Sequence, residues 1–412
     1  MLVHRDKQLR KWTLTLPLVC IVAIISSVFA ALETGSTALA KQSSAVSQAD
    51  AGATLPPGFA GDTACRECHQ EKFDSYLATA HHRTSRLPNR ESIAGHFSAH
   101  ENLLNTFNPE LSFRMESREG RFYESAVVSK PGHTRKRTEE IDIVIGSGNK
   151  GQTYLYWKGN RLFELPVSYW TALKRWVNSP GYVDGSADFD RPVTSRCVEC
   201  HATYFQKLTP LDNQYNKDNI VLGISCERCH GPGLSHIQNH AGKGANAGSL
   251  SPMPPIGLAR DREIDICAQC HGGVGQSLAP AFSFQPGEDL AKTILLQQPT
   301  SPKQVDVHGN QVILLQRSRC FLSSPTLSCS TCHDVHSVER PAASYSAQCL
   351  HCHQQQQCGM FASLGAQIAT NCIDCHMPVQ ESKLLVLDTE DTRLKAKVRN
   401  HWIGIYPNQA TR

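Results

Sequence analysis

Aromatic side chains are scarce in this sequence. They make up 7% of its 412 residues, and all hydrophobic residues together make up 40%. Large aromatic and aliphatic side chains supply most of the apolar surface that a protein core buries. A chain of this length therefore has modest apolar material of its own, and we expect another component to help fill its core.

Long apolar runs are absent beyond the N-terminus, which predicts a soluble domain for the remainder of the chain. The one such run covers about residues 13–32 and follows four basic side chains, as in an export signal. A small-residue site predicts cleavage after Ala40, and an uncleaved N-terminal membrane anchor is the alternative because the run could span a bilayer. Both interpretations predict a periplasmic or otherwise extracytoplasmic protein.

A strong charge of either sign is also missing. The sequence has 41 basic and 37 acidic residues, and removal of residues 1–40 would take away four of the former and two of the latter, which leaves a formal charge of +2. The sequence lacks the excess of basic residues that would favour nucleic acid as a partner. Gly146-Ser147-Gly148 lacks the lysine and serine that end a phosphate-binding loop, so we interpret it as a strand-end turn.

Cysteine, in contrast, is abundant, and most of the 17 cysteines occur in pairs followed by histidine. The seven pairs are Cys65-Arg-Glu-Cys68-His69, Cys197-Val-Glu-Cys200-His201, Cys226-Glu-Arg-Cys229-His230, Cys267-Ala-Gln-Cys270-His271, Cys329-Ser-Thr-Cys332-His333, Cys349-Leu-His-Cys352-His353 and Cys372-Ile-Asp-Cys375-His376.

This spacing predicts covalent attachment of haem c, seven in all. Two thiols three positions apart can add to the two vinyl groups of one haem, and the adjacent histidine then reaches the iron. Zinc ribbons combine two pairs per metal, and redox-active Cys-x-x-Cys motifs occur once or twice in a chain, so both alternatives fit seven pairs poorly.

The other histidines decide whether each iron has a second protein ligand. Eleven lie outside the motifs after residue 40, which is enough for two histidines per haem. His81 follows a helical pattern that leaves the first motif, His336 lies three residues beyond His333, and His236 follows a Gly-Pro-Gly turn. Each of the three, and likewise His401, could instead be a surface histidine or a propionate partner.

The chain resembles the cytochrome c-554-like multihaem proteins, relatives of the octahaem hydroxylamine oxidoreductase and nitrite reductase group. The resemblance covers most of residues 61–405 and depends on Cys65-Arg-Glu-Cys-His with Tyr76 and Thr79-Ala80-His81, Cys226-Glu-Arg-Cys-His-Gly-Pro-Gly with His236, Cys329-Ser-Thr-Cys-His-Asp-Val-His, and Cys372-Ile-Asp-Cys-His-Met-Pro. It implies that His81, His236 and His336 are distal ligands and that His308 and His401 are further candidates. The seven motifs, none of which ends in lysine, depart from the four or eight of that group.

The fold class that we expect is mainly α with many loops, as in a multihaem cytochrome c, with a small antiparallel β-rich insertion between the first and second motifs. Alternating or β-branched patterns predict strands at residues 121–123, 141–145, 153–157 and 162–165, with a hairpin turn at Lys158-Gly159-Asn160. The expected divisions are a signal or anchor (1–40), a linker (41–60), a first haem-binding segment (61–110), the β-rich insertion (111–180) and a six-haem region (181–412).

Two functions are compatible with these features. The first is electron transfer through mostly bis-histidine haems between a quinol-side donor and an extracytoplasmic acceptor. The alternative is an oxidoreductase that acts on a small nitrogen or sulfur compound at one five-coordinate haem, and no residue is assigned a catalytic role. Cys320 and Cys358 remain outside the motifs, and we predict a disulfide between them, with two thiols or a cysteine axial ligand as alternatives.

Overall fold

The computed structural model describes residues 55–210, 213–241, 254–298, 305–338 and 340–406. The expected export signal and most of the expected linker lie outside these residues. Within the described parts, every helix is too short or too polar to cross a bilayer.

Ten α-helices lie in the described ranges, and most are short. They are α1 (Asp62–Tyr76), α2 (Ser195–His201), α3 (Cys226–His230), α4 (Leu234–Ala241), α5 (Arg260–His271), α6 (Gln311–Leu315), α7 (Arg319–Ser323), α8 (Ala342–Cys349), α9 (Phe361–Leu364) and α10 (Cys372–His376). Single 3₁₀ turns occur at His82–Thr84, Leu290–Lys292, Gln355–Gln357 and Gly365–Thr370.

Strands are as abundant as helices, so the expectation of a mainly α fold is wrong. Helix accounts for 27% of the described residues and strand for 28%. The strands are β1 (Ser85–Arg86), β2 (Leu103–Asn105), β3 (Leu111–Arg118), β4 (Arg121–Lys130), β5 (His133–Glu140), β6 (Ile143–Ile145), β7 (Gly151–Lys158), β8 (Arg161–Glu164), β9 (Val167–Trp170), β10 (Arg175–Asn178), β11 (Ala202–Lys207), β12 (Tyr215–Leu222), β13 (Gly275–Ser277), β14 (Ile294–Leu296), β15 (Val379–Asp388) and β16 (Arg393–Arg399).

Two antiparallel sheets contain the first ten strands. One has the order β2-β3-β4-β5, and the other has the order β1-β6-β7-β9-β10 with β8 paired to β7. The predicted hairpin turn is confirmed, because Lys158 pairs with Arg161 and Gly159 has a φ of +60° that suits glycine. The insertion is therefore two sheets with their own core rather than a small addition.

Alternating side chains bury one face of these strands. Along β3, Leu111, Phe113 and Met115 point into the core while their neighbours remain partly accessible. Tyr154 on β7 and Trp176 on β10 join the same cluster, with 5.8 Å between their ring centroids. This region therefore packs a core from its own side chains.

Strands also occur among the cysteine motifs, which is the second reason that the mainly α expectation failed. β11 begins directly after α2, and its partner β12 leads towards α3, so this hairpin holds the second and third motifs close together. β15 and β16 form a long hairpin near the C-terminal end. It contacts the larger sheet where Asn178 Nδ2 donates to the Asp388 carbonyl over 2.8 Å.

Candidate haem-binding site

All seven motifs adopt a helical turn. Five lie in α1, α2, α3, α5 and α10. The other two form single turns, the second of them directly after α8, in which the histidine N–H donates to the carbonyl of the first cysteine, over 2.9 Å at both His333 and His353. A helical turn places residues three and four apart on one side. Both thiols and the histidine of each motif can therefore contact one bound group.

Local sequence explains where these turns begin and end. The helix α5 has Asp261 and Glu263 in its first turn, where acidic side chains favour a helix N-terminus, and it ends at His271. After α3, Gly231 has a φ of +80°, a conformation that stops the helix and redirects the chain beyond His230.

Neighbouring motifs contact one another through their thiols. Cys65 lies beside Cys226, Cys200 beside Cys270, and Cys267 beside Cys329, close enough for each thiol to affect the pKa of the other. Cys349 is close enough to both Cys332 and Cys372 for their charges to interact. All the cysteines of the described residues are free thiols. The contacts arrange the motifs as a connected series rather than as separate sites.

The second, third and fourth motifs are joined by the residue before the second cysteine of each one. These residues are Glu199, Arg228 and Gln269, and all three are buried. Arg228 Nη2 donates to the Glu199 carbonyl over 3.1 Å, and the thiol of Cys270 lies 3.8 Å from that oxygen. We call these three residues the motif junction.

A neighbouring carboxylate fixes the first motif against the third. Glu227 is 3% exposed and accepts hydrogen bonds from the N–H groups of Ala60 (2.8 Å), Gly61 (3.0 Å) and Gly233 (2.8 Å). Sequence reasoning missed Glu227 and the motif junction, because the two positions between the cysteines accept many residue types and carry no signal of their own.

Three histidine pairs have the separation that a shared iron requires. Ring centroids are 6.1 Å apart for His81 and His271, 6.0 Å for His230 and His336, and 6.2 Å for His333 and His401. Imidazoles that each place a nitrogen about 2 Å from one metal ion have ring centres about 6 Å apart. The residues present therefore fit a haem iron with two histidine ligands.

Two further histidines lie near other motifs. His308 is close enough to His201, and His236 close enough to His69, to lower the pKa of one member of each pair electrostatically. The ring of His236 also packs on His240, with 4.4 Å between centroids. The five expected distal histidines thus lie near five different motifs.

The environment of these histidines favours the neutral form. Desolvation by the surrounding protein, and secondarily the neighbouring histidines, lower the pKa of His81, His201 and His401 to about 4. His81 nevertheless remains exposed to solvent. A neutral imidazole has a lone pair available for a metal ion.

Several backbone and side-chain partners orient the rings, and none of them could be identified from sequence spacing. His376 Nδ1 lies 2.8 Å from the Gly404 carbonyl, His401 Nδ1 lies 3.1 Å from the Arg399 carbonyl, and His201 Nδ1 lies 3.0 Å from Thr84 Oγ1. A bond of this kind at Nδ1 leaves Nε2 to ligate a metal.

The remaining cysteines are not brought together, so the predicted disulfide does not form. Cys320 and Cys358 are both free thiols. Cys320 is within electrostatic range of Cys332 and Cys349, whereas Cys358 is within range of Cys375. The two cysteines therefore lie beside different motifs.

Comparisons with known proteins identify similar chains. The profile of a family described as cytochrome c554 and c-prime matches residues 170–231, which include the second and third motifs. The C-type polyheme cytochrome OmcC of Geobacter sulfurreducens is 31% identical over 94 residues, or 22% of this chain and 11% of OmcC. The dissimilatory sulfite reductase MccA of Wolinella succinogenes is 22% identical over 405 residues, or 79% of this chain and 51% of MccA.

One solved structure is similar in fold. The outer cell wall cytochrome OcwA superposes with a TM-score of 0.52 at 17% identity, over 84% of this chain and 79% of OcwA. The chain spans about a tenth and about half of the lengths of the two curated relatives. These similarities agree with the seven motifs in the kind of cofactor that they indicate.

Proposed function

Because this chain is a multihaem c-type cytochrome, we propose that it carries seven covalently attached haems and passes electrons along them outside the cytoplasm. The observation that carries the proposal is the connected series of motifs. A c-type haem supplies an iron that gains or loses one electron when bound. Sites that follow one another without a gap can pass an electron from one end of the series to the other.

The order of the series follows from the contacts of the thiols and of the motif junction. The first motif contacts the third through Cys65, and the third contacts the second through Arg228. The second contacts the fourth through Cys200, and the fourth contacts the fifth through Cys267. Cys349 then links the fifth motif to the last two. We assign a quinol-side donor and an extracytoplasmic acceptor to the two ends.

In this proposal the five distal histidines are ligands to five of the irons. His81 serves the iron of His271, His336 that of His230, and His401 that of His333, as the ring separations support. His308 and His236 serve the irons of His201 and His69. Two imidazole ligands hold an iron six-coordinate in both oxidation states, so little structural change accompanies electron transfer.

Replacement of His336 tests this assignment. In the haem-loaded protein, His336→Ala should convert one low-spin haem to high-spin and raise the reduction potential of that haem, because one donor to the iron is lost. Electron paramagnetic resonance and a potentiometric titration measure both effects. His133→Ala is the matched control, since His133 lies exposed on β5. An unchanged spectrum for His336→Ala would refute the ligand assignment, and fewer than seven haems by intact mass would refute the haem count.

A second candidate function is an oxidoreductase acting on a small sulfur or nitrogen compound at one open haem. The observation that favours it is the similarity to a protein named as a dissimilatory sulfite reductase over 79% of this chain. Reduction of sulfite, nitrite or hydroxylamine no faster than by free haem would exclude this candidate.

A further inference from the structure

The last two motifs differ from the other five in their histidine neighbours. The proposed distal histidines pair with His69, His201, His230, His271 and His333. Within the described residues, no second histidine is in ring contact with His353 or His376. Every histidine except His4 is in the part of the chain that the structure describes. The six that remain are His82, His96, His100, His133, His240 and His351.

Most of these six are occupied elsewhere in the fold. The ring of His82 packs against Tyr76 and that of His96 against Tyr169, in each case 5.9 Å between centroids. His133 Nε2 accepts a hydrogen bond from Arg135 over 2.9 Å on the exposed edge strand β5. His240 packs on His236, and His100 lies in an exposed turn with a φ of +84°.

His351 cannot complete the site of its own motif. It lies two residues before His353 in the same turn, whose closing hydrogen bond joins the His353 N–H to the Cys349 carbonyl over 2.9 Å. A haem attached to Cys349 and Cys352 has this turn on one side only. The face of the iron opposite His353 therefore receives no imidazole from its own motif.

The chain around this motif is open and uncharged. Residues 341–373 contain no aspartate, glutamate, lysine or arginine, in a protein in which such residues make up 19%. Only Ser346 and Ile373 of this segment are buried. Few side chains of this segment are therefore packed in the protein interior, and none of them presents a fixed charge to a molecule that approaches the motif.

We propose that the haem held by Cys349, Cys352 and His353 keeps one axial position open and binds a small uncharged ligand there. The proposal depends on the proposed function, because it requires haem at this motif. It adds a ligand-binding position to a chain whose other pairings support electron transfer alone. Binding is coordination of a ligand lone pair to the iron, without electron transfer or bond cleavage.

The test uses the haem-loaded full chain and carbon monoxide. The oxidised protein should show a high-spin signal, and the reduced protein should bind carbon monoxide with a change in its absorbance spectrum. Replacing both Cys349 and Cys352 with serine should remove one haem by intact mass and abolish the carbon monoxide response of that haem. The matched control replaces Cys65 and Cys68 with serine at the opposite end, which should also remove one haem but leave this response intact.

A second variant keeps both thioether bonds. His353→Gly removes only the protein ligand, so the position of the carbon monoxide band should shift, and added imidazole should restore it. A carbon monoxide response that is undiminished without the Cys349–Cys352 haem, or a band unchanged in His353→Gly, would overturn the proposal. Seven low-spin haems with no carbon monoxide binding would also overturn it while leaving the electron-transfer proposal intact, whereas a protein with fewer than seven haems would contradict the proposed function itself.

Discussion

The strand-rich part between β1 and β10 and the segments that carry the motifs bury apolar surface in different ways. In the strand-rich part, Phe113 and Met115 are fully buried, and Trp176 stacks among Phe97, Tyr154 and Tyr169. In the segment 341–373, by contrast, two residues are buried. The strand-rich part therefore packs with its own side chains, whereas the segment 341–373 buries few of its own.

This difference matches the composition. The strands concentrate most of the buried aromatic residues in one large cluster, whereas the motif segments have a smaller apolar cluster around α5, α6 and α7 and otherwise consist largely of short turns. Helices of five residues are marginally stable in isolation, because the entropy lost in nucleation exceeds the stabilisation that the hydrogen bonds of one turn provide. Haem attachment would supply the missing apolar contacts in the motif segments.

Of the changes considered, removal of haem should have the largest effect on the difference in stability between the two parts. When the chain is produced with all motif cysteines replaced by serine, we expect the segments that carry the motifs to unfold while the β1–β10 region remains folded. Limited proteolysis with mass spectrometry should then yield a resistant fragment that includes residues 85–178, whereas the haem-loaded protein should resist cleavage in both parts. Equal resistance of both parts to proteolysis without haem would contradict the idea that only the motif segments need haem to fold.

Glu227→Gln should have an intermediate effect, confined to the motif segments. The amide keeps one acceptor oxygen but turns an N–H group towards a backbone donor, which should lower the free energy of unfolding by about 2 kcal/mol. Chemical denaturation monitored by haem absorbance measures this change. Glu67→Gln is the control, because Glu67 also lies between the two cysteines of its motif but is exposed, and it should cost less than about 0.5 kcal/mol. Equal losses for both variants would contradict a role for the three backbone contacts.

Glu124→Gln should have the smallest effect, and it concerns the strand-rich part. Burial raises the pKa of Glu124 well above its ordinary value, and its Oε2 has no hydrogen-bond partner among the described residues. The folded protein thus retains this proton to higher pH than the unfolded chain does, so the free energy of unfolding should fall as pH rises above the ordinary pKa. Glutamine does not titrate, and the variant should lose less stability between about pH 5 and about pH 8.

Thermal melts at both pH values measure this difference. Glu119→Gln, in the exposed turn between β3 and β4, is the control and should behave like the unmodified protein. A pH dependence that is the same for Glu124→Gln and for the unmodified protein would show that the buried carboxyl does not contribute.

The sequence predicted the motifs and part of the sheet, because both have local signatures. The strands β4, β6, β7 and β8 each overlap a predicted run of β-branched or aromatic residues. Three other strands lack such a signature. β5 reads His-Thr-Arg-Lys-Arg-Thr-Glu-Glu and is held at a sheet edge by pairing with β4 alone, and β15 and β16 are rich in charged residues. Pairing, rather than composition, stabilises these strands.

The candidate site could be predicted only in part for the same reason. His81, His236, His308, His336 and His401 could be named, but their partners depend on contacts across as many as 190 positions, as between His81 and His271. The motif junction has no local pattern at all. Its residues are buried by contacts between motifs that lie far apart in the sequence.

The motif junction also constrains how the protein can be assembled. Arg228 donates a hydrogen bond to the Glu199 carbonyl, and Arg196 donates one to the Gln269 carbonyl. The turns of the three motifs therefore cannot separate without breaking hydrogen bonds within the protein. An enzyme that joins haem to cysteine must reach both thiols of each turn from outside. If haem is attached as we propose, ligation is expected to come before closure of the junction, so that the junction forms in a chain that already carries haem at these three motifs.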